Sequence, residues 1–308
     1  MKVLLFPGQG AQKVGMAADL AAAFPAARAT LQAIDSALGV SLSTLMAEGP
    51  EGELQLTHNT QPAILAHSAA VLAVVGDRLA DTACAAGHSL GEYSAWVAAG
   101  AFDAPTAAKL VRRRGELMFA AGQARPGAMA AILGLGTAEV EAACAGASAG
   151  DSGVAVAANL NAPDQTVISG DPAAVERAGE LCKAAGAKRV MGLKVSGAFH
   201  SPLMEPAVDG LKQALAAASF ATPTFPVIAN AVARPVDRAD EAVQLLADQL
   251  TAPVRWVECM RTAAEFAPEA TFVEIGPGNV LSGLIKRIVP TATTVTLGTA
   301  KEVEAFLA

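Results

Sequence analysis

The segment Gly87-His88-Ser89-Leu90-Gly91 carries the clearest chemical signal in the chain. An apolar run (82–86) precedes it and a helical stretch (92–99) follows. A serine between two glycines in that setting reads as a nucleophile on a sharp strand-to-helix turn. Such a turn crowds the backbone, and glycine two residues to either side removes the Cβ atoms that would clash. The turn lifts the Ser89 hydroxyl clear of its sheet. It also leaves the Leu90 N–H free at a helix start, aimed where a tetrahedral intermediate gathers negative charge. The pentapeptide alone is equally a chance turn, and the strand–turn–helix context decides for the nucleophile.

A serine nucleophile requires a base, and the chain has four histidines: His58, His67, His88 and His200. His88 adjoins Ser89, so its side chain is expected to point away from Oγ. His67 falls in an apolar helical run and reads as packed or surface histidine. His58 lies in the polar stretch Thr57-His58-Asn59-Thr60 and reads as a solvated loop residue. His200, in Gly197-Ala-Phe-His200-Ser-Pro202, stands in a loop beyond a strand and is the best base. No histidine follows it, and no acidic residue presents itself as a third member. This departs from the hydrolase order of serine, acid, histidine. The expectation is a Ser–His dyad whose imidazole is oriented by a backbone or amide oxygen.

Arg114 is out of place. A helix over 104–121 puts Ala107, Leu110, Val111, Leu117, Met118 and Ala121 on one stripe, with Arg114 in its middle. Arg112 and Arg113 fall off the stripe and read as solvated. A buried guanidinium without an anion is costly, so Arg114 needs either an internal acidic partner or a ligand carboxylate. With a nucleophile close by in sequence, the ligand carboxylate is favoured, since Arg grips carboxylates bidentately.

Other loops add support. Phe6-Pro-Gly-Gln-Gly10 follows the first strand, where ligand-facing loops of α/β sheets sit, and the Gln9 N–H is a candidate second oxyanion donor. The segment lacks the dinucleotide fingerprint and the P-loop lysine. Glu274-Ile-Gly-Pro-Gly-Asn279 reads as a structural turn. Gln249, before Thr251-Ala-Pro253, reads on its own as a surface cap at a helix end.

These residues need a frame to hold them. Strands are expected at 2–6, 82–86, 225–229, 271–275 and 294–297, alternating with Ala-rich helices such as 16–24 and 63–79, which indicates a parallel α/β sheet. Between Pro126 and Ser196 the rhythm changes to strand (128–133), helix (138–147), strand (154–160), strand (166–169), helix (173–185) and strand (189–195). That β-α-β-β-α-β order is the ferredoxin-like plan. The Ala/Gly patch 145–153 reads as loop.

The 308 residues suffice for one large domain with an insert, and the 53% apolar content with only 4% aromatics suits tightly packed helices on a parallel sheet. A net charge of −7 argues against nucleic acid. Cys84, Cys144, Cys182 and Cys259 are far apart and form no C-x-x-C, which disfavours a zinc site and fits a reducing cytoplasm. No stretch is expected to reach membrane-span length without glycine or charge.

Taken in order, FPGQG (6–10), TQPAI (60–64), GHSLGEYSA (87–95), Arg114-Gly115, AFHSP (198–202), QLTAPVRW (249–256) and EIGPGNVL (274–281) closely resemble the malonyl-CoA:acyl carrier protein transacylases of fatty acid synthesis. The resemblance runs almost end to end. It implies an α/β hydrolase-like domain with a parallel-sheet core (1–125 and 197–308) and an inserted ferredoxin-like domain (126–196). It implies Ser89 as the acylated nucleophile, His200 as base and the Gln249 carbonyl as its orienting group. The N–H groups of Gln9 and Leu90 would form the oxyanion hole, and Arg114 would hold the malonyl carboxylate. Gln61, His88 and Phe199 would surround the substrate, with Leu90 and Phe199 fitting the malonyl-selective pattern.

The implied partners are malonyl-CoA and the phosphopantetheine thiol of an acidic acyl carrier protein. No cofactor, metal, nucleic acid or membrane is implied, and the expected protein is a cytoplasmic monomer. Lys183, Lys188, Arg189, Lys286 and Arg287 are candidate carrier contacts. Ala11 stands where the family often has serine, and Ala229-Asn-Ala-Val232 is looser than the usual Asn-Val pair. A free-standing acyltransferase of a polyketide synthase and a serine hydrolase of acyl thioesters are the rival enzymes. A carrier-docking protein without catalysis is the rival outside enzymology.

Overall fold

The computed structural model describes residues 1–149 and 153–308. Its strands are β1 (Lys2–Phe6), β2 (Thr82–Gly87), β3 (Ala128–Leu133), β4 (Ala155–Ala162), β5 (Gln165–Gly170), β6 (Arg189–Gly192), β7 (Val227–Ala229), β8 (Arg234–Val236), β9 (Thr271–Ile275) and β10 (Thr293–Leu297). One sheet has the order β10-β9-β1-β2-β7-β8 and is parallel except at β8. The apolar run of β1 is continuous because both faces of this sheet are covered. Leu4 and Phe6 join the core on one side, and Val3 and Leu5 the core around Trp256 on the other. The antiparallel edge strand β8 is absent from the sequence-based expectation. It is three residues long and contains Pro235, which a sheet accommodates at its edge.

The second sheet is antiparallel with the order β4-β5-β3-β6. The helices Thr137–Ser148 and Pro172–Ala184 cover it through Ile132, Val140, Cys144, Ile168, Val175 and Cys182. Its chain order matches the expected β-α-β-β-α-β plan. The last strand stops at Gly192, short of the 195 expected, and Met191 and Leu193 are exposed beside it. Residues 145–148, expected as loop, complete a helix; 150–152 of that patch lie outside the described residues. Asn159 and Val254 bridge this sheet to the main body, with Leu160 N–H donating to Val254 C=O at 2.9 Å.

The helix Thr57–Val75 starts six residues earlier than expected, so His58 is in its first turn and not in a loop. Pro62 masks that start, since it lacks the N–H that would bond to the carbonyl of His58. That carbonyl accepts from Arg112 instead, at 3.2 Å, so Arg112 ties two helices together and is not merely solvated. The 19 residues of this helix include neither glycine nor a charged side chain, contrary to expectation. Most of them are buried against neighbouring helices, which places the segment in the core.

Candidate active site

The nucleophile turn is built by exclusion. A Cβ on Gly87 would lie 1.9 Å from the carbonyl carbon of Gly91, and one on Gly91 would lie 2.2 Å from the Phe6 oxygen. Only glycine lets the start of the helix Gly91–Ala98 close down on β2 and β1. Ser89 sits at φ 52°, a left-handed conformation that costs energy for a non-glycine residue. The surroundings hold it there. Ser89 N–H donates to Asn230 Oδ1 at 2.8 Å, and Asn230 Nδ2 donates to the Gly87 carbonyl at 2.8 Å. Asn230, fully buried, follows directly on β7.

Ser89 Oγ lies 2.7 Å from His200 Nε2, the distance of a hydrogen bond through which a proton passes on attack. His200 Nδ1 faces two carbonyls, Gln249 at 2.9 Å and Ala252 at 3.2 Å. Carbonyls only accept, so Nδ1 carries the proton and Nε2 is left as the acceptor toward serine. The orienting groups are main-chain oxygens and not a carboxylate, as the sequence led one to expect. Burial, and then the positive charge of Arg114, hold the imidazole far below its ordinary proton affinity, at a pKa of about 3. It therefore stands neutral, with Nε2 free to accept from the serine hydroxyl. Gln249 is fully buried, which corrects its bare reading as a surface cap.

Arg114 is 1% exposed and has no ion pair among the described residues, so the internal salt bridge is not found. Its Nη1 donates to Gln61 Oε1 at 2.7 Å, and its Nη2 donates to Gln249 Oε1 at 2.9 Å and to Ser89 Oγ at 3.1 Å. These acceptors are neutral, and the guanidinium carbon stands 5.9 Å over the Tyr93 ring. A cation caged by neutral dipoles next to a nucleophile is prepared for an anionic substituent on the substrate.

A cleft of about 220 Å³ opens over these groups between the two sheets. Ser89, His200, Arg114, Gln9, Leu90 and Phe199 reach it from the main body, and Met129, Asn159, Asn161 and Val167 from the second sheet. The N–H groups of Gln9 and Leu90 have no acceptor among the described residues, as a pair of oxyanion donors requires. His88 does turn from Ser89 Oγ: its Nε2 pairs with Asn161 Oδ1 at 2.8 Å, and its ring stands 5.4 Å from Trp256. Gln61 does not line the cleft; it lies fully buried behind Arg114.

Four polar residues in this arrangement carried no assigned catalytic or binding role in the sequence: Asn159, Asn161, Asn230 and Glu92. Glu92 Oε2 accepts from Asn230 N–H at 2.9 Å and from Gln249 Nε2 at 2.7 Å. An acidic residue in a first helical turn ordinarily reads as a solvated partner of the helix dipole, which hid its burial. By contrast, Glu274 fills the structural role its turn suggested, accepting from Leu281 and Ser282 N–H at 3.0 and 2.7 Å.

The acyl transferase domain family matches residues 3–304 of the chain. The malonyl CoA-acyl carrier protein transacylase of Escherichia coli strain K12 is 44% identical over 304 residues, covering 98% of this chain and 97% of that protein. Among solved structures, an acyl carrier protein S-malonyltransferase from Vibrio cholerae superposes with a TM-score of 0.93 at 44% identity, over 99% of both chains. A malonyl-transacylase in complex with its type II polyketide acyl-carrier protein superposes at 0.94 with 42% identity, over 99% of this chain and 98% of that one.

Proposed function

This chain belongs to the acyl transferase domain family, and on that premise we propose that it moves a malonyl group from coenzyme A to the phosphopantetheine thiol of an acyl carrier protein, for fatty acid synthesis. The observation that carries the reading is Arg114, buried with no direct ion pair among the described residues and donating to the Oγ of a serine that is paired with a neutral imidazole. A hydrolase of simple acyl thioesters has no use for that cation.

In the first half-reaction Ser89 Oγ attacks the malonyl thioester carbonyl and its proton passes to His200 Nε2. The N–H groups of Gln9 and Leu90 meet the oxyanion, and Arg114 meets the malonyl carboxylate. The tetrahedral intermediate collapses, the C–S bond breaks and the coenzyme A sulfur leaves with the proton held by His200. The malonyl-serine ester then undergoes the reverse sequence. His200 takes the proton of the carrier thiol, the sulfur attacks the ester, and Ser89 Oγ departs with that proton. The Gln249 carbonyl keeps the imidazole in the required tautomer throughout, while Phe199, Leu90 and His88 shape the space around the acyl group. No step calls for a metal or redox cofactor.

The main body is assigned to residues 1–125 and 197–308, and the inserted ferredoxin-like domain to 126–196. The protein acts as a cytoplasmic monomer. Lys183, Lys188, Arg189, Lys286 and Arg287 are exposed and suited to an acidic carrier, although Arg287 already bonds to Asp164 and Gln165. The likeness to a polyketide malonyl-transacylase admits the same chemistry on a polyketide carrier.

Initial rates measured against malonyl-CoA at several fixed carrier concentrations test the reading. Parallel double-reciprocal lines with malonyl found on the carrier thiol are expected. Free malonate released without carrier would instead identify a hydrolase.

A further inference from the structure

We propose that Glu92 is a positioning residue that holds nucleophile, base and carboxylate clamp in register, acting through Asn230 and Gln249. The inference rests on the Ser89–His200 reading and adds to it a group that touches neither substrate nor the reacting atoms.

The bonds run outward from one buried oxygen. Glu92 Oε2 takes the main-chain N–H of Asn230 at 2.9 Å, and the side chain of Asn230 grips both Ser89 N–H and the Gly87 carbonyl at 2.8 Å. The strained turn at Ser89 is thereby tied to the carboxylate. The same oxygen takes Gln249 Nε2 at 2.7 Å. An ionised carboxylate only accepts and a guanidinium only donates, so Glu92 on one side and Arg114 on the other admit a single orientation of the Gln249 amide. In that orientation Gln249 Oε1 meets Arg114 at 2.9 Å, Nε2 reaches the Ser89 carbonyl at 3.1 Å, and the main-chain oxygen meets His200 Nδ1 at 2.9 Å. One residue, Gln249, thus serves base, clamp and nucleophile, and Glu92 holds the far end of its side chain. Charge-assisted bonds of this kind are about twice as strong as neutral ones.

The charge on Glu92 is sensitive to pH. Burial outweighs the N–H groups of Asn230, Gln249 and Trp96 and the charge of Arg114, and raises the carboxyl to a pKa of about 7. The titratable groups around it are Arg114 from the helix Ala104–Ala124, Tyr93 on its own helix, Cys259 from the helix Trp256–Phe266, and His200 beyond Gln249. Burial pushes Tyr93 and Cys259 upward and His200 down to about 3, so none of these titrates near neutrality. Protonation of Glu92 removes its charge and makes it a donor as well, so the brace is weakened as pH falls through about 7. The base does not lose its function in that range.

The test pairs a variant with a pH profile. Glu92→Gln keeps shape and an acceptor oxygen but removes the charge. It is expected to lower kcat for malonyl transfer about tenfold, with a parallel fall in the rate at which a fluorophosphonate labels Ser89. The wild-type kcat is expected to decline on the acid side with a midpoint near 7, and the variant to be low and flat there. A merely structural role would lower the folded fraction and leave the pH profile of the remainder unchanged. A variant with wild-type rate, or with the wild-type acid limb, overturns the proposal. Should the variant not fold, a wild-type kcat that stays level across neutrality overturns it equally. Malonyl on wild-type Ser89, mapped by mass, keeps the two readings apart. Its absence defeats the Ser89–His200 reading, whereas its presence with an unaffected Glu92→Gln enzyme defeats this inference alone.

Discussion

The two sheets that face the cleft contribute different things. Gln9, Ser89 and Asn230 stand just beyond the C-terminal ends of the parallel strands β1, β2 and β7. From the antiparallel sheet come Met129, Asn159, Asn161 and Val167, which form wall. A parallel sheet buried on both faces cannot shift one strand end without disturbing two cores, and it suits atoms that must be fixed to fractions of an ångström. A wall tolerates more. Chemistry should therefore be brittle to change on the parallel side and forgiving on the antiparallel side.

The largest effect should come from the parallel side. Ser89→Ala is expected to reduce transfer by about 10⁴- to 10⁶-fold, measured as malonyl appearing on carrier. Substantial residual transfer would move the nucleophile elsewhere. Arg114→Ala follows. It removes a charge-assisted contact of about 1.5–3 kcal/mol, so the preference for malonyl over acetyl should fall roughly ten- to a hundredfold. An unchanged preference in competition assays would end its assignment as clamp.

The main body should also lose stability in acid. His67 is buried with Nε2 against the Gly298 carbonyl at 2.9 Å, and burial lowers its pKa to about 4. Its folded pKa lies below the unfolded value of 6.5, so between the two the unfolded chain binds the extra proton and stability declines as pH falls. The contribution is about 2 kcal/mol by pH 5, and a chemical-denaturation series should show a shallower decline in His67→Gln. The smallest effect belongs to the wall. Asn161→Ala breaks the 2.8 Å pairing with His88, a loss of about 1 kcal/mol, and should raise KM a few-fold with kcat retained. A kcat collapse there would erase the contrast between the sheets.

Local patterns were legible where a residue type is forced by geometry. The glycines around Ser89 and the apolar stripe around Arg114 each carry their reason in the sequence, and so does the strand order of the second sheet. Ser89, His200 and Arg114 meet as expected. What stayed hidden depends on who packs against whom. Glu92 and Asn230 look like ordinary helix-start and strand-end residues until the end of β7 is laid beside β2. The early start of the helix Thr57–Val75 was masked by Pro62, whose missing N–H is offset by an arginine from another helix. Gln61 reads as a pocket residue, yet it lies on the far side of the guanidinium it steadies.

The central claim is that Ser89 carries the acyl group while Arg114 holds its carboxylate. Intact mass of the protein after brief exposure to malonyl-CoA or to acetyl-CoA, followed by peptide mapping, tests it most directly. The account predicts a malonyl adduct on Ser89 that disappears on adding carrier and is scarce with acetyl-CoA. An adduct on another residue, or equal labelling by both donors, would contradict it.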